Sequence, residues 1–421
     1  MLDLLKTRNW PRPFGIALFI SMMASGYYYN LTFVQIGLED FGTRLLGLSS
    51  KDFARDMALL AVFTCLTALA FGFWMGRQSW RRSFQAKLRL SFGIVIAQTL
   101  LTLLCPLVRN EPTFIAWLAG VSLALGVGMP VMFSMTVDLV PVRGRGYAAA
   151  LVTGLAYFVA EVFSSSWTFE AFRRQSLVLL LAGSVGVGLL AFIRQPWLDA
   201  LARQHALPEF AFGRFVRRDN TGHPTLNRPI LGLILVMFGI YFVDSLGFLR
   251  LLKTPLYMQS AWQSPELDPR LFIACTHVVG ALVAGILYST QRVRPLFLWI
   301  FGIFALTHLQ YSFHIRLEST NAVLSMPMLY ALAVSLYTVI NFAIWADIST
   351  PDTISFNSGL GVALSGWTAT FLSTGLAIRW GESLSLERHI QVVDSLAMVF
   401  FLAMLLLSFL RPAQRQREVS A

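Results

Sequence analysis

The sequence predicts an all-α polytopic membrane protein with twelve transmembrane helices in two six-helix bundles. The chain of 421 residues is 56% hydrophobic and only 13% charged, whereas a soluble domain has roughly a quarter of its residues charged. Twelve apolar runs are long enough to cross the roughly 30 Å hydrocarbon layer as helices. A basic segment after the sixth run divides the runs into two equal sets.

The apolar runs define the predicted helices in chain order. The fourth and seventh runs begin at Asn110 and Asn227, each followed two residues later by a proline, and this pattern is typical of a helix start. The predicted spans are 13–36, 56–76, 88–108, 113–139, 147–168, 176–193, 229–249, 270–289, 295–315, 324–346, 355–378 and 393–410.

The net charge of +11 fits membrane topology better than nucleic-acid binding. Most Lys and Arg residues fall in the segments that share one side with the N-terminus, and six arginines lie between 194 and 228. Such a bias sets the orientation of a membrane protein. We therefore predict a multi-pass protein of the cell (inner) membrane with both termini cytoplasmic, some contact with anionic membrane lipids, and no nucleic-acid partner.

A duplicated six-helix unit explains this organisation. Asp138 and Pro141 follow the fourth run, and Asp347 and Pro351 follow the tenth, which is the same position in the second half. The predicted parts are an N-terminal bundle, a basic cytoplasmic linker, and a C-terminal bundle with a short cytoplasmic tail. They cover residues 1–193, 194–228 and 229–421.

Two loops give the chain a family resemblance. The loop 138–148 is similar to the acidic-Pro-Arg-Gly pattern that the major facilitator superfamily has between helices four and five. The loop after the second run resembles the best-known signature of that family at Gly72, Arg77 and Arg81. It has Gly76 where the family usually has Asp, and Ser79 where it has a second Gly. The resemblance covers essentially the full length of the chain.

The resemblance implies transport by alternating access and a gate at the cytoplasmic helix ends. An Asp–Arg pair, Asp138 with Arg145, would break and re-form as the bundles rock. Asp347 has Asp352 rather than an Arg near it in sequence, and helix-end solvation is the alternative role for all these charges. The implied gate residues are Arg77, Arg81, Asp138, Arg143, Arg145 and Asp347.

Two carboxylates, Glu161 and Asp244, stand deep inside apolar runs. A charge at the middle of a bilayer costs several kcal/mol, so such an acid is a functional-site hypothesis. At about 1.5 Å per residue, side chains of several helices reach one layer near the bilayer centre, as expected of a site between two bundles. The predicted substrate and proton pathway comprises Tyr28, Thr32, Tyr157, Glu161, Tyr241, Asp244, His277, Asn341 and Trp367.

A tyrosine precedes each acid by about one helical turn, Tyr157 before Glu161 and Tyr241 before Asp244. A phenol hydrogen bond favours the ionised carboxylate, whereas burial favours the protonated one, so these acids suit proton exchange. The alternative is a permanently protonated acid with a structural role. For His277, a neutral side chain bonded across helices is favoured over a proton relay.

Tyr28 and Thr32 belong to a polar stripe on the first span, with Ser21, Ser25 and Gln35. These residues share one helix face, which must look toward protein or water. The stripe either lines the transport path or forms hydrogen bonds between helices.

The expected function is secondary active transport of a small organic solute, coupled to protons, by a monomer. The apolar interiors hold no Lys or Arg, which argues against a strongly anionic substrate. No ATP-binding loop, nucleophile motif or metal-ligand spacing is found in the sequence, so neither an enzyme nor a cofactor or metal is expected. The alternatives are a transporter-fold assembly factor or sensor without transport activity, and a drug or metabolite exporter. The fifth run has Gly154 but no proline, unlike the Gly-Pro signature of drug/proton antiporters.

Overall fold

The computed structural model describes residues 11–163, 166–193, 196–216, 228–290, 293–318 and 323–409. Almost all of these residues are helical, and none of them forms a strand. Eleven of the described helices are long and apolar enough to span a membrane. The first helix, which continues beyond Tyr28 through a π-helical segment, completes the predicted set of twelve.

Six helices form the N-terminal half. They are α1 (Pro11–Tyr28, continuing as Tyr29–Ile36 and Gly37–Asp40), α2 (Ser50–Arg77), α3 (Phe84–Leu104), α4 (Glu111–Ser134, continuing as Thr136–Leu139), α5 (Arg145–Phe163) and α6 (Phe169–Phe192).

Six further helices form the C-terminal half. They are α7 (Arg228–Leu252), α8 (Leu267–Thr290), α9 (Val293–Arg316), α10 (Ser325–Asp347), α11 (Ile354–Gly361, continuing as π-helical Val362–Trp367 and Thr368–Ser383) and α12 (Leu386–Phe409).

Local capping explains where several helices begin. Ser49 accepts a hydrogen bond from the backbone N–H of Asp52 and starts α2. Asn110 and Thr113 form a reciprocal capping box at the start of α4, where the sequence predicts a helix start. At the start of α7, Asn227 lies outside the described residues.

The described part of the linker packs on one face of the helical assembly. It forms the short helices Pro196–Ala202 and Pro208–Ala211. The backbone N–H of Gly213 donates to the Ser349 carbonyl at 3.0 Å, and that of Phe215 donates to the Asp347 carbonyl at 2.8 Å. We call this side of the protein the linker face and the opposite side the far face. Residues 1–10, 194–195, 217–227 and 410–421 lie outside the described residues, so the predicted linker is described only in part.

Burial is uneven among the helices. Most residues of α4, α5, α10 and α11 are buried, whereas fewer than a third of the residues of α3, α6 and α12 are. Apolar side chains facing outward are what lipid contact requires. The buried helices therefore surround the centre of the molecule, where the two halves meet.

The two halves touch along two seams that depend on glycine. At the seam between α5 and α8, a Cβ on Gly285 would lie 2.8 Å from the Gly146 carbonyl oxygen and 2.7 Å from the Ala150 Cβ. At the seam between α2 and α11, a Cβ on Gly72 would lie 2.6 Å from the Ser355 carbonyl oxygen. Small residues let membrane helices approach closely, so both seams bring backbone against backbone.

We predict that Gly285→Ala destabilises the protein by about 1–3 kcal/mol, because its methyl group must displace backbone rather than a flexible side chain. Thermal unfolding in detergent measures this as a lower midpoint temperature. Gly232→Ala in α7 is the matched control, since no atom lies within 4 Å of its added Cβ. Equal midpoints for the two variants would show that the α5–α8 seam is not packed this tightly.

Candidate functional site

Residues from both halves line a cavity of about 440 Å³ near the centre of the molecule. Eight of the nine side chains that the sequence assigns to the pathway border this cavity. They are Thr32, Tyr157, Glu161, Tyr241, Asp244, His277, Asn341 and Trp367. The structure therefore brings these residues of α1, α5, α7, α8, α10 and α11 together, and their roles in transport stay predictions.

Tyr28 is placed elsewhere, and its neighbour Tyr27 borders the cavity instead. The Tyr28 hydroxyl donates to the Gln175 side-chain oxygen at 2.5 Å, on the side of α6. Successive residues of a helix point about 100° apart, so a one-residue error moves a side chain off a face. The other four members of the predicted stripe, Ser21, Ser25, Thr32 and Gln35, all border the cavity.

Asp244 accepts hydrogen bonds from two tyrosines of α10. The Tyr330 hydroxyl donates to Oδ1 at 2.6 Å, and the Tyr337 hydroxyl donates to Oδ2 at 2.5 Å. Tyr241, which the sequence suggests as the donor, instead packs edge-on against Tyr337, with ring centroids 4.9 Å apart. A phenol does donate to this acid, as predicted, but the donors are Tyr330 and Tyr337 rather than Tyr241.

Glu161 has a different environment. It is buried, and its Oε2 atom accepts no hydrogen bond from any described residue. The Tyr157 hydroxyl, which we expected beside it, pairs with the Tyr27 hydroxyl at 2.7 Å. Arg270 lies at this end of α5, but its guanidinium donates to the Val162 carbonyl oxygen. Among the ion pairs between described residues, none involves Glu161.

His277 is held between two helices. Its ring stacks on the Tyr157 ring with centroids 4.3 Å apart, and its Nδ1 lies 2.9 Å from the Ser335 hydroxyl oxygen. This hydrogen bond joins α8 to α10, as expected if His277 is a neutral side chain bonded across helices rather than a proton relay. Asn341 accepts a hydrogen bond from the Trp345 indole at 2.9 Å.

Tyr27, Tyr330 and Tyr337 were not among the pathway residues predicted from the sequence. Tyr330 and Tyr337 are seven residues apart, about two helical turns, so they lie on one face of α10. That spacing, together with a buried acid on another helix, is the signal that would have found the pair.

A buried ion pair closes the linker face. The Arg145 Nη1 atom lies 2.9 Å from the Asp347 Oδ1 atom, and both side chains are buried. The Tyr288 hydroxyl donates to Asp347 Oδ2 at 2.8 Å, and Arg145 also donates to the Phe210 carbonyl of the linker at 3.0 Å. One contact thus joins α5, α8, α10 and the linker.

Asp138 does not pair with Arg145, so that predicted pair is wrong. Its Oδ2 atom lies 2.6 Å from the Lys87 ammonium, and both side chains are fully buried. The His205 ring of the linker lies 3.5 Å from Oδ1. Asp138 therefore joins α3 to α4 within one half, and Arg145 reaches across to Asp347, which sequence proximity had left without a partner.

Comparison with known proteins supports the same architecture. No protein-family sequence model matches the chain, and no curated protein sequence matches it. The structure matches that of the human organic anion transporter MFSD10 (TETRAN), with a TM-score of 0.62, 15% identity, and coverage of 95% of this chain and 100% of that chain. It also matches the proton:xylose symporter XylE bound to 6-bromo-6-deoxy-D-glucose, with a TM-score of 0.60, 13% identity, and coverage of 94% and 96%. The chain has the major facilitator superfamily fold.

Within this major facilitator fold, Asp352 makes a second contact between the halves. Arg81 and Arg82, which follow α2, lie 2.9 and 2.7 Å from its carboxylate oxygens. Burial opposes its ionisation, but the Arg82 hydrogen bond and both arginine charges outweigh burial, so the pKa of Asp352 lies below its usual value. A lowered carboxyl pKa means that this contact is complete at neutral pH and is lost only as the pH falls through that pKa.

Two other predicted gate residues make no ion pair among the described residues. Arg77 is exposed and lies over the Phe73 ring at 4.0 Å. Arg143 is also exposed. The structure thus places Arg81, Arg145 and Asp347 in ion pairs between the halves, whereas Arg77 and Arg143 form no ion pair with a described residue.

We predict that Asp347→Ala opens the linker face, because it leaves the buried Arg145 charge unpaired at a cost of about 3–5 kcal/mol. The reporter is Val137→Cys, since Val137 is buried in an apolar cluster with Ala346 and Ile354 of the other half. The rate of maleimide labelling at this cysteine should rise about tenfold or more.

The chain without Val137→Cys gives the background labelling. Asp199→Ala, which removes an exposed linker carboxylate, is the matched control and should leave the rate unchanged. An unchanged rate in Asp347→Ala would show that the ion pair does not hold this face closed.

Proposed function

We propose that the protein is a secondary transporter that moves a small organic solute across the membrane by alternating access, with coupling to protons. One observation supports this most directly. A cavity between the two halves contains two buried carboxylates, Asp244 and Glu161, neither of which has an ion-pair partner among the described residues.

The two faces of the protein differ in how firmly they are closed. The linker face has the buried Arg145–Asp347 pair, and no gate residue borders the cavity. Toward the far face, the lining continues to Gln35 of α1 and Leu252 of α7. There the halves are joined by a more exposed pair, Lys253 with Glu39 at 2.8 Å. Exposed ion pairs contribute about 0–1 kcal/mol, so we propose that the far face opens more readily in this conformation.

Proton coupling follows from the position of the acids. A carboxylate in a closed cavity binds a proton more readily than one in contact with water. Asp244 and Glu161 border a space that, in our proposal, meets water from each side in turn. Each can therefore take up a proton on one side and release it on the other.

Three details complete the proposal. We propose that the halves extend to residue 193 and from residue 229, that both termini are cytoplasmic in the inner membrane, and that the protein works as a monomer with solute, proton and lipid contacts. Helix α1 begins beside the linker, where a Cβ on Gly15 would lie 2.9 Å from the Leu201 side chain.

The assembly-factor or sensor alternative needs a linker that is free to bind a partner protein. The described linker residues instead bond to the end of α10 and to Arg145 within the chain. This packing favours transport. A drug or metabolite exporter would also be a secondary transporter. Directional flux measurements separate export from import.

We predict that Asp244→Asn and Glu161→Gln each reduce pH-driven flux by about tenfold or more, since neither amide can carry the proton. Uptake into proteoliposomes under an imposed pH gradient measures this flux. Glu387→Gln, which removes a carboxylate paired with Arg316 away from the cavity, should leave it unchanged. Full flux in both cavity variants would refute the coupling assignment, and no flux for any solute would refute transport.

A further inference from the structure

We propose that the transported solute is an organic cation, an amine with an apolar body, whose ammonium group binds at Glu161 and Asn30. This substrate class rests on the proposed transport function and names what the cavity selects. It differs from the solutes after which the two similar transporters are named, an organic anion and a sugar.

The charge of the cavity lining supports a cation. Its described residues include two carboxylates, Glu161 and Asp244, and no Lys or Arg. A carboxylate or phosphate solute would meet like charge in a space of low dielectric constant, without a compensating cation. A cationic solute meets opposite charge there.

The unpaired atoms show where the ammonium group binds. Glu161 is 4% exposed, and its Oε2 atom and the Asn30 Oδ1 atom are buried and accept no hydrogen bond from a described residue. Both residues border the cavity. Buried acceptors are normally satisfied, and a protonated amine supplies up to three N–H donors that both atoms could accept.

Helix geometry places these two acceptors at one level. The Tyr27 hydroxyl of α1 and the Tyr157 hydroxyl of α5 are 2.7 Å apart, and both helices run from the linker face to the far face. Asn30 and Glu161 follow these tyrosines by three and four residues, about one helical turn. The two acceptors therefore lie about one turn beyond the tyrosine pair, on its far-face side.

Aromatic side chains make the surroundings suitable for a cation with an apolar body. Aromatic ring faces attract cations, more strongly when the cation has lost water. Tyrosine and tryptophan side chains that border the cavity include Tyr27, Tyr157, Trp167, Tyr241, Trp262 and Trp367.

The cavity also extends away from the acids on the other side of α1. There Ile94 of α3 and Leu180 and Val187 of α6 line it, and Gly26 and Gly186 leave open space beside them. This apolar lobe suits an aromatic or alkyl group. A solute with a cationic end and an apolar end fits both parts of the cavity.

The test uses three probes that share an indole body and differ in charge: tryptamine, tryptophol and indoleacetate. Binding to the purified full chain in detergent at neutral pH is measured by calorimetry. Tryptamine should bind about tenfold or more tightly than either other probe. Tryptamine binding that is absent, or no tighter than that of tryptophol or indoleacetate, overturns the proposal.

Variants then locate the ammonium group. Glu161→Gln should lower tryptamine affinity about tenfold while changing tryptophol binding little. Asn30→Ala should reduce the same preference and serves if Glu161→Gln does not elute as a monodisperse species. Glu387→Gln is the matched control and should keep the preference. A full preference for tryptamine in both cavity variants overturns the assignment of these residues.

Binding in detergent needs no gradient, so it separates this proposal from the proposed function. Selective tryptamine binding without flux of any solute in proteoliposomes refutes transport and leaves the cation site standing. Proton-driven flux of a sugar or an anion, without tryptamine binding, refutes the cation site and leaves transport standing.

Discussion

The buried ion pair between Arg145 and Asp347 is the contact on which the arrangement of the two halves depends. Two charges removed from water need each other and further hydrogen bonds to offset their desolvation. Tyr288 and the Phe210 carbonyl supply such bonds. Because these partners come from both halves and from the linker, the pair is complete only when the linker face is closed.

In the transport cycle that we propose, close helix packing makes this closed state one of two discrete arrangements rather than a point on a continuous range. At both seams, glycines such as Gly72 and Gly285 let backbone meet backbone, without long side chains that could adapt to a partial shift. Packed interfaces of this kind change by rigid-body rotation. The cavity lies between the seams, so a rotation that separates Arg145 from Asp347 would close the more exposed far-face contact of Lys253 with Glu39 more firmly.

The sequence was sufficient for the fold because the bilayer restricts it. Backbone groups in lipid must bond within the helix, so twelve apolar runs of sufficient length predict twelve helices. Depth along each helix also placed Asp244 and Glu161 correctly at one cavity. Rotation about the helix axis was harder to predict. Tyr27 rather than Tyr28 borders the cavity, although the other residues of the polar stripe on this helix do border it.

Pairing across the halves could not be predicted from sequence proximity. Arg145 lies close to Asp138 in sequence but bonds to Asp347, 202 residues away, and the Asp244 donors come from α10 rather than from its own helix.

The most direct test of this account measures distances between spin labels by electron paramagnetic resonance, with one pair at Gln78 and Thr290 on the linker face and another at Thr43 and Ser383 on the far face. Asp347→Asn should lengthen the first distance and shorten the second. Unchanged distances at both faces would contradict the claim that the Arg145–Asp347 pair determines which face is closed.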